Sequence, residues 1–268
     1  IAWPTQVKAG SPIIVDAIDG YEPPLLGSDR LSYFKDLHRW FGVVGLNQKD
    51  GVQITGFLPR YREYGEGWWR SPKLEFYQHH ISVDRKAEHN AGHLKIPTGV
   101  WRKLAEVSPD KKSEEEQIAQ EIYASTEVDG HLHCPMKPVE NIVTSKFGFP
   151  RRLPNNRLYF HTGLDLRARK GTPIRSMGKG LVRFVGKMNV PGNNVIIDHG
   201  QGLFSRYMHL SQFEVKTGQM VNRGDIVGLS GSTGRVEAPH LHWEVIWKVH
   251  LASPLALLHL WEPLCDQG

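Results

Sequence analysis

The sequence predicts a mainly β protein in which a C-terminal antiparallel β-structure follows a small β-sandwich module and a helical linker. Three observations predict it. Short apolar runs separated by Gly, Pro, Asn and Asp fill the first third of the chain. A charged, helix-favouring stretch follows, and dense turn punctuation between short β segments then returns after Gly130.

In the first part, from Val7 to about Val83, the candidate strands are Pro12-Ile13-Ile14-Val15, Val43-Val44-Gly45-Leu46, Val52-Gln53-Ile54-Thr55 and Leu74-Glu75-Phe76-Tyr77. Their length suits strands of a small sandwich and is too short for helices. The loops Tyr21 to Gly27 and Arg60 to Trp69 are rich in Gly, Pro and aromatics. Trp68-Trp69 could form a sugar-stacking platform, although ordinary packing is the commoner use of such rings. Between about Asp84 and Asp129, Ser113-Glu114-Glu115-Glu116 reads as a capping box opening a helix through about Ala124, with a solvated charged face. The predicted division is therefore 1–83, 84–129 and 130–268. In the last part, Leu181 to Val185, Asn194 to Asp198, Phe204 to Met208 and Leu241 to Val245 read as strands, and no repeat period organises the chain.

Composition narrows the function classes. A 268-residue chain with 40% apolar and 23% charged residues can bury a real core. The balance of 33 basic against 28 acidic residues is a mild excess spread along the chain, without the basic stripe or reader motif that nucleic-acid binding requires. No apolar run reaches the 18 or so residues of a membrane span; Leu251 to Trp261 is broken by Pro254 and His259. The chain starts at Ile1, which fits removal of a signal segment or deliberate shortening. Cys134 and Cys265 stand near the two ends of the third part, where they could close it with one disulfide or remain unrelated thiols.

The chemistry-bearing residues are histidines and one aspartate. His161-Thr162-Gly163-Leu164-Asp165 sets an imidazole and a carboxylate four positions apart, both standard zinc ligands, beside a glycine that allows a tight local path. Far downstream, His240-Leu241-His242 lies in a segment with strand character, where alternation points both imidazoles to one face. Three protein ligands, His161, Asp165 and one of that pair, leave a fourth tetrahedral position open, as in catalytic zinc sites. His240 and His209 are then candidates to accept a proton from water activated there.

Among 14 histidines other spacings arise by chance: His89 and His93, His79-His80, and His131-Leu132-His133-Cys134, which lacks a partner cluster. No serine sits in a Gly-x-Ser-x-Gly elbow and no His-Glu-x-x-His is present. Gly228 to Gly234 lacks the Lys-Ser/Thr ending of a phosphate loop and reads as a turn.

Taken in order, Ser145-Lys146-Phe147-Gly148, His161-Thr162-Gly163-Leu164-Asp165, Gly192-Asn193-Asn194-Val195, Asp198-His199-Gly200, Tyr207-Met208-His209-Leu210-Ser211 and Pro239-His240-Leu241-His242-Trp243-Glu244 closely resemble the lysostaphin/LytM family of zinc metallopeptidases. The resemblance implies a β-sheet groove with Zn2+ on its floor, bound by residues matching His161, Asp165 and His242. It implies cleavage of peptide cross-links of bacterial peptidoglycan by zinc-activated water. His209 and His240 are implied to flank the metal, with the choice of general base between them open. His199 falls in a block but reads as a structural turn histidine. Ala238 stands where the family usually has glycine and Trp243 where phenylalanine is frequent. Arg235-Val236-Glu237 is charged where small residues are usual, which bears on substrate preference.

The N-terminal part more loosely resembles β-sandwich modules that precede such domains in exported endopeptidases of Gram-negative bacteria. That implies a periplasmic or secreted protein and cross-links of D-alanine and diaminopimelate rather than glycine bridges; peptidoglycan peptides are the expected partners, and the oligomeric state is open, with a monomer favoured. Two rivals are a wall-binding protein that regulates an amidase without catalysis, and an autoinhibited form with a fourth ligand from His79, His80, Glu88 or His89.

Overall fold

Short apolar segments cannot satisfy their backbone groups alone, and in this chain they do so between strands. The computed structural model describes residues 3–17, 22–34, 38–46, 51–60, 73–84, 92–93, 109–126, 129–152, 158–236 and 238–265. Trp68, Trp69, Glu88 and His89 lie outside them, as does most of the Arg60 to Trp69 loop.

The N-terminal strands are β1 (Gln6–Lys8), β2 (Pro12–Asp16), β3 (Leu25–Leu26), β4 (Asp29–Arg30), β5 (Ser32–Phe34), β6 (Arg39–Val43), β7 (Val52–Arg60), β8 (Lys73–Asp84) and β9 (Gly92–His93). All of them except β9 form a five-stranded sheet in the order β1-β8-β7-β3-β4 and a three-stranded sheet β2-β6-β5. The strand expected at Val43 to Leu46 lies earlier, at Arg39–Val43, where it pairs with both β2 and β5. Val44 instead bonds Gly10 and Ser11 across a turn.

Helix α1 spans Pro109–Ala124, so it opens a turn ahead of the expected capping box at Ser113. Proline at a helix start loses nothing, because its missing N–H would be unpaired there anyway. The helix is also more than a connector. Its Ile122 and Tyr123 pack on Ile196, Phe204 and Ile246, with the Tyr123 and Phe204 rings 5.2 Å apart.

The remaining strands are β10 (Val143–Ser145), β11 (Pro150–Arg152), β12 (Leu158–Phe160), β13 (Leu164–Arg167), β14 (Pro173–Arg175), β15 (Gly180–Met188), β16 (Gly192–Asp198), β17 (Leu203–Phe213), β18 (Met220–Val221), β19 (Ile226–Ser230), β20 (His240–Trp247) and β21 (His250–Ala252); helix α2 follows at Pro254–Cys265. Gly228 is therefore within a strand, and the turn begins after Ser230. Ten strands make one sheet with the central order β10-β13-β20-β17-β16-β15-β18, and its pairings are antiparallel. β11 and β12 form a hairpin whose outer partner is β9, from the linker.

Alternation assigns the two faces of this sheet. Leu241, Trp243, Val245 and Trp247 of β20 join a core shared with Leu164, Leu166 and Tyr207, and the same cluster continues into Ile13, Phe34, Trp40, Phe41, Ile54 and Ile81 of the N-terminal part. Edge-to-face aromatic contacts join the parts: Phe41 stands 6.3 Å from Trp247 and 5.2 Å from Trp261, and Phe34 5.6 Å from Trp261. Cys134 and Cys265 form a disulfide that ties α2 to the beginning of the C-terminal part. His240, His242, Glu244 and Ile246 are left on the opposite face.

His199 is fully buried, with Nδ1 2.7 Å from the Lys179 carbonyl and Nε2 2.8 Å from Ser205 Oγ. A neutral imidazole satisfies both partners. Burial pushes its pKa down to about 4, with the charge of His131 adding to the effect. The unfolded chain protonates this histidine near pH 6.5 while the folded chain does not, so the unfolded state binds more protons between those values. Stability is therefore expected to fall as pH drops from about 6.5 to 4, by about 3 kcal/mol in total. Denaturant unfolding at a series of pH values, compared with His199→Gln, tests this; an identical slope in the variant would assign the loss elsewhere.

Candidate active site

Strand register brings together residues that are distant in sequence. Asp165 of β13 lies directly opposite His242 of β20, and Arg167 opposite His240. His161, just before β13, is held by backbone bonds to the turn after β10: Gly148 N donates to its carbonyl at 2.8 Å and its own N–H to Phe149 O at 3.2 Å. The result is three converging donor atoms. His242 Nδ1 is 2.7 Å from Asp165 Oδ1, His161 Nε2 is 3.1 Å from the same oxygen, and the two imidazole nitrogens are 3.2 Å apart.

These distances test whether a metal fits. Ligands about 2.0–2.1 Å from a tetrahedral zinc stand about 3.3 Å from one another. The observed triangle is close to that size. Two imidazole lone pairs and a carboxylate oxygen converging on one point also repel unless a cation lies between them. A proton can do this, and burial of His242, which opposes its charge, is outweighed by its bonds to Asp165 and Glu244, raising its pKa to about 9. For Asp165, burial likewise opposes ionisation, but hydrogen bonds from His161 and His242 hold its carboxyl well below the usual range. Among the described residues, His161, Asp165 and His242 are the group able to hold a metal ion.

Each histidine is oriented through its other nitrogen. His161 Nδ1 donates to the Lys146 carbonyl at 2.9 Å, which leaves Nε2 as the lone pair facing the site. His242 Nε2 donates to Glu244 Oε1 at 3.2 Å, which leaves Nδ1 facing it. Burial opposes the charge on Glu244, yet the hydrogen bond from His242 and the nearby Arg206 keep its carboxyl below its ordinary pKa. Glu244 received no role from sequence reasoning. The signal was present, since it stands two residues from His242 on the same strand face.

His209 reaches the site by a different route. Met208 pairs with His242, so alternation alone would turn His209 to the core face. Its φ is instead +63°, beside a register shift in β17, and this kink brings its ring 5.1 Å from His240 and 6.0 Å from His242. Thr233 O accepts from His209 Nδ1 at 3.0 Å, leaving Nε2 free. Burial and the neighbouring histidines lower the His209 pKa to about 3, so it is neutral at physiological pH. His240 Nδ1 donates to Ala238 O at 2.9 Å, and its Nε2 lies 3.7 Å from Asp165 Oδ1.

Gly163 is required for space. A Cβ there would fall 2.5 Å from Trp243 O, 2.7 Å from His242 Nε2 and 2.9 Å from Glu244 Cγ, between the imidazole and its orienting carboxylate. Gly163→Ala is expected to weaken metal binding by about 10- to 100-fold, the usual cost of disturbing a ligand's outer partner. Competition against a chelating dye measures it, and unchanged affinity would show that the pair relaxes freely.

Among the described residues, the other histidines do not join this cluster. His79 Nε2 bonds Pro4 O at 3.1 Å. The His131-x-His133-Cys134 group has lost its sulfur ligand to the disulfide, and His199 has both ring nitrogens occupied elsewhere.

Comparison with known proteins agrees with this geometry. Residues 159–254 match the model of Peptidase family M23. The peptidoglycan DD-endopeptidase ShyA of Vibrio cholerae is 45% identical over 106 residues, which cover 39% of this chain and 24% of that protein. The DD-carboxypeptidase/endopeptidase Mpg of Neisseria meningitidis is 39% identical over 102 residues, covering 38% and 24%. The chain thus matches about a quarter of the length of each of these relatives. A solved structure from Pseudomonas aeruginosa superposes with a TM-score of 0.65 over 94% of both chains, at 22% identity, a likeness of fold. Residues 159–254, which carry His161, Asp165, His209, His240 and His242, are thus the part of the chain that is similar to Peptidase family M23.

Proposed function

We propose that this chain is a zinc-dependent endopeptidase that hydrolyses peptide cross-links of bacterial peptidoglycan, acting in the periplasm or outside the cell. One observation carries the reading: His161, Asp165 and His242 converge at metal-binding distances, with His209 and His240 beside them. The names of the M23 relatives supply the substrate class.

His161 Nε2, Asp165 Oδ1 and His242 Nδ1 would hold the ion, leaving one tetrahedral position for water or substrate. Zinc, when bound, lowers the pKa of its water towards 7 and polarises a carbonyl. Lys146 O and Glu244 keep the two ligand imidazoles in the tautomers that aim a lone pair at the site. His209 and His240 each present an Nε2 with its Nδ1 tied to a backbone carbonyl. Either accepts the proton of the attacking water at its Nε2 lone pair and, as the imidazolium so formed, stabilises the oxyanion of the tetrahedral intermediate before returning the proton to the leaving amine. In this reading residues 1–83 form a module docked behind the sheet, 84–129 a linker and 130–268 the catalytic domain.

A wall-binding protein that regulates an amidase without catalysis would not need a complete ligand set, and this chain keeps it. The deciding experiment is digestion of purified cross-linked peptidoglycan with and without a chelator, with released muropeptides identified by mass and zinc by elemental analysis. Chelator-sensitive loss of cross-linked dimers is expected. Bound zinc without products would favour an autoinhibited form, and neither zinc nor products would favour the non-catalytic binder.

A further inference from the structure

His209 is held in place by two carbonyls from outside its own strand. Its backbone N–H donates to Pro191 O at 2.9 Å, in the β15–β16 turn, and its Nδ1 to Thr233 O at 3.0 Å, in the β19–β20 loop. A residue other than glycine at φ +63° persists only where its surroundings impose that conformation. The two segments that impose it are laced together. Asn193 N donates to Thr233 Oγ1 at 2.9 Å, Thr233 Oγ1 to Leu210 O at 2.8 Å, and Arg235 N to Val190 O at 3.1 Å. Gly234, at φ +76°, lies so close that a Cβ on it would meet Gly192 N at 2.4 Å. Residues 190–193 and 233–235 therefore form one unit, and the His209 backbone hangs from it.

Helix α1 grips this unit. Glu115 Oε1 accepts hydrogen bonds from Asn189 N and from Asn189 Nδ2, the second at 2.8 Å, at the tip of the β15–β16 hairpin. Asn189 stands two residues before the carbonyl that receives His209 N–H, and a carboxylate accepting from a backbone N–H makes one of the stronger kinds of hydrogen bond. Glu115, Ile118, Ala119 and Ile122 follow the spacing of one helix face, and Ala119 on it is buried. The far end of the helix is fixed independently. Ile122 and Tyr123 pack on Ile196, Phe204 and Ile246, and Ser125 O accepts from Arg183 Nη2. Thr126 Oγ1 donates to Asp198 Oδ1 at 3.1 Å and accepts from Gly202 N at 2.8 Å. Ile246 shares the sheet face of His242 and Glu244, so α1 lies on the side of the candidate metal site. The anchored base at Ile122 and the grip at Glu115 thus stand on one rigid rod, about 10 Å apart along its axis.

We propose that Glu115 is a positioning residue for the hydrolytic reaction: it holds the 189–193 turn, and through Pro191 O the His209 imidazole, in the place from which that imidazole acts. The inference rests on the endopeptidase reading and adds to it a residue well before 159, where the similarity to Peptidase family M23 begins. The charged face of the linker helix, expected from the sequence to be only solvated, then belongs to the catalytic apparatus.

The test uses the zinc-loaded full chain and a soluble cross-linked peptide. Glu115→Ala is expected to lower kcat by about 10-fold, the scale of a small displacement of a reacting group, with zinc content unchanged and KM altered by less than about twofold. Glu115→Gln, which keeps one acceptor oxygen, is expected to retain most of kcat, and Glu116→Ala, the same charge change on the exposed neighbour, all of it. In a His209→Ala background, Glu115→Ala is expected to change kcat by less than about twofold, because no imidazole is left to position. Circular dichroism and zinc content confirm that each variant is folded and loaded. An unchanged kcat in Glu115→Ala, or an equal loss with and without His209, overturns the inference and leaves the endopeptidase reading standing. A wild type that does not cleave the peptide overturns both.

Discussion

His161→Ala is expected to lose bound zinc and turnover together, with metal content falling to near zero and activity by 10⁴-fold or more, about 5.5 kcal/mol of transition-state stabilisation. The geometry gives the reason. His161 Nε2 closes the triangle with His242 Nδ1 and Asp165 Oδ1 at 3.2 and 3.1 Å, so its removal leaves two protein ligands where three are needed. The remaining His242 is already bonded on both sides, to Asp165 and to Glu244, so the buried pair stays satisfied by a proton and the fold persists. Elemental analysis, hydrolysis rate and the unfolding midpoint on one preparation check all three statements. Retained zinc, or retained turnover without zinc, would remove these residues from the metal site.

His209→Ala is expected to separate the two losses. This side chain reaches the site by a backbone kink and makes none of the three converging contacts, so zinc content should be unchanged. Its Nε2 is the free nitrogen of a ring whose Nδ1 is tied to Thr233 O, and it stands neutral because burial and neighbouring histidines disfavour its charge. Loss of such a proton-transfer or oxyanion-stabilising group lowers kcat by about 10²- to 10⁴-fold with little change in KM. Steady-state kinetics on a soluble cross-linked peptide, together with zinc analysis, decides it. A zinc-loaded variant with full kcat would assign proton transfer to His240 alone.

Legibility in the sequence differed from residue to residue. His161 and Asp165 were readable because both lie in one short block, and His240 and His242 because strand alternation puts them on one face whatever they pair with. The disulfide was open, since a bond between Cys134 and Cys265 depends on how the chain returns α2 to the start of the domain. Glu244 was overlooked although the alternation that places His242 also places it. The linker helix was seen as a solvated connector, and its few apolar residues gave no indication that Ile122 and Tyr123 would cover Phe204 and Ile246.

Sequence alone thus determined the β class and two pairs of candidate residues, His161 with Asp165 and His240 with His242, because these depend on spacing within single strands and turns; His242 as the ligand of its pair and the flanking places of His209 and His240 followed from the resemblance of the six ordered blocks. Tertiary structure decided which of two paired histidines meets Asp165 at 2.7 Å and which stands back at 3.7 Å. It also decided that His209 leaves the core face through a positive φ, and that Phe34 and Phe41 of the N-terminal part share a core with Trp247 and Trp261. Those outcomes depend on register shifts and on packing between segments more than two hundred residues apart, where the free energy lies in contacts that no local pattern encodes.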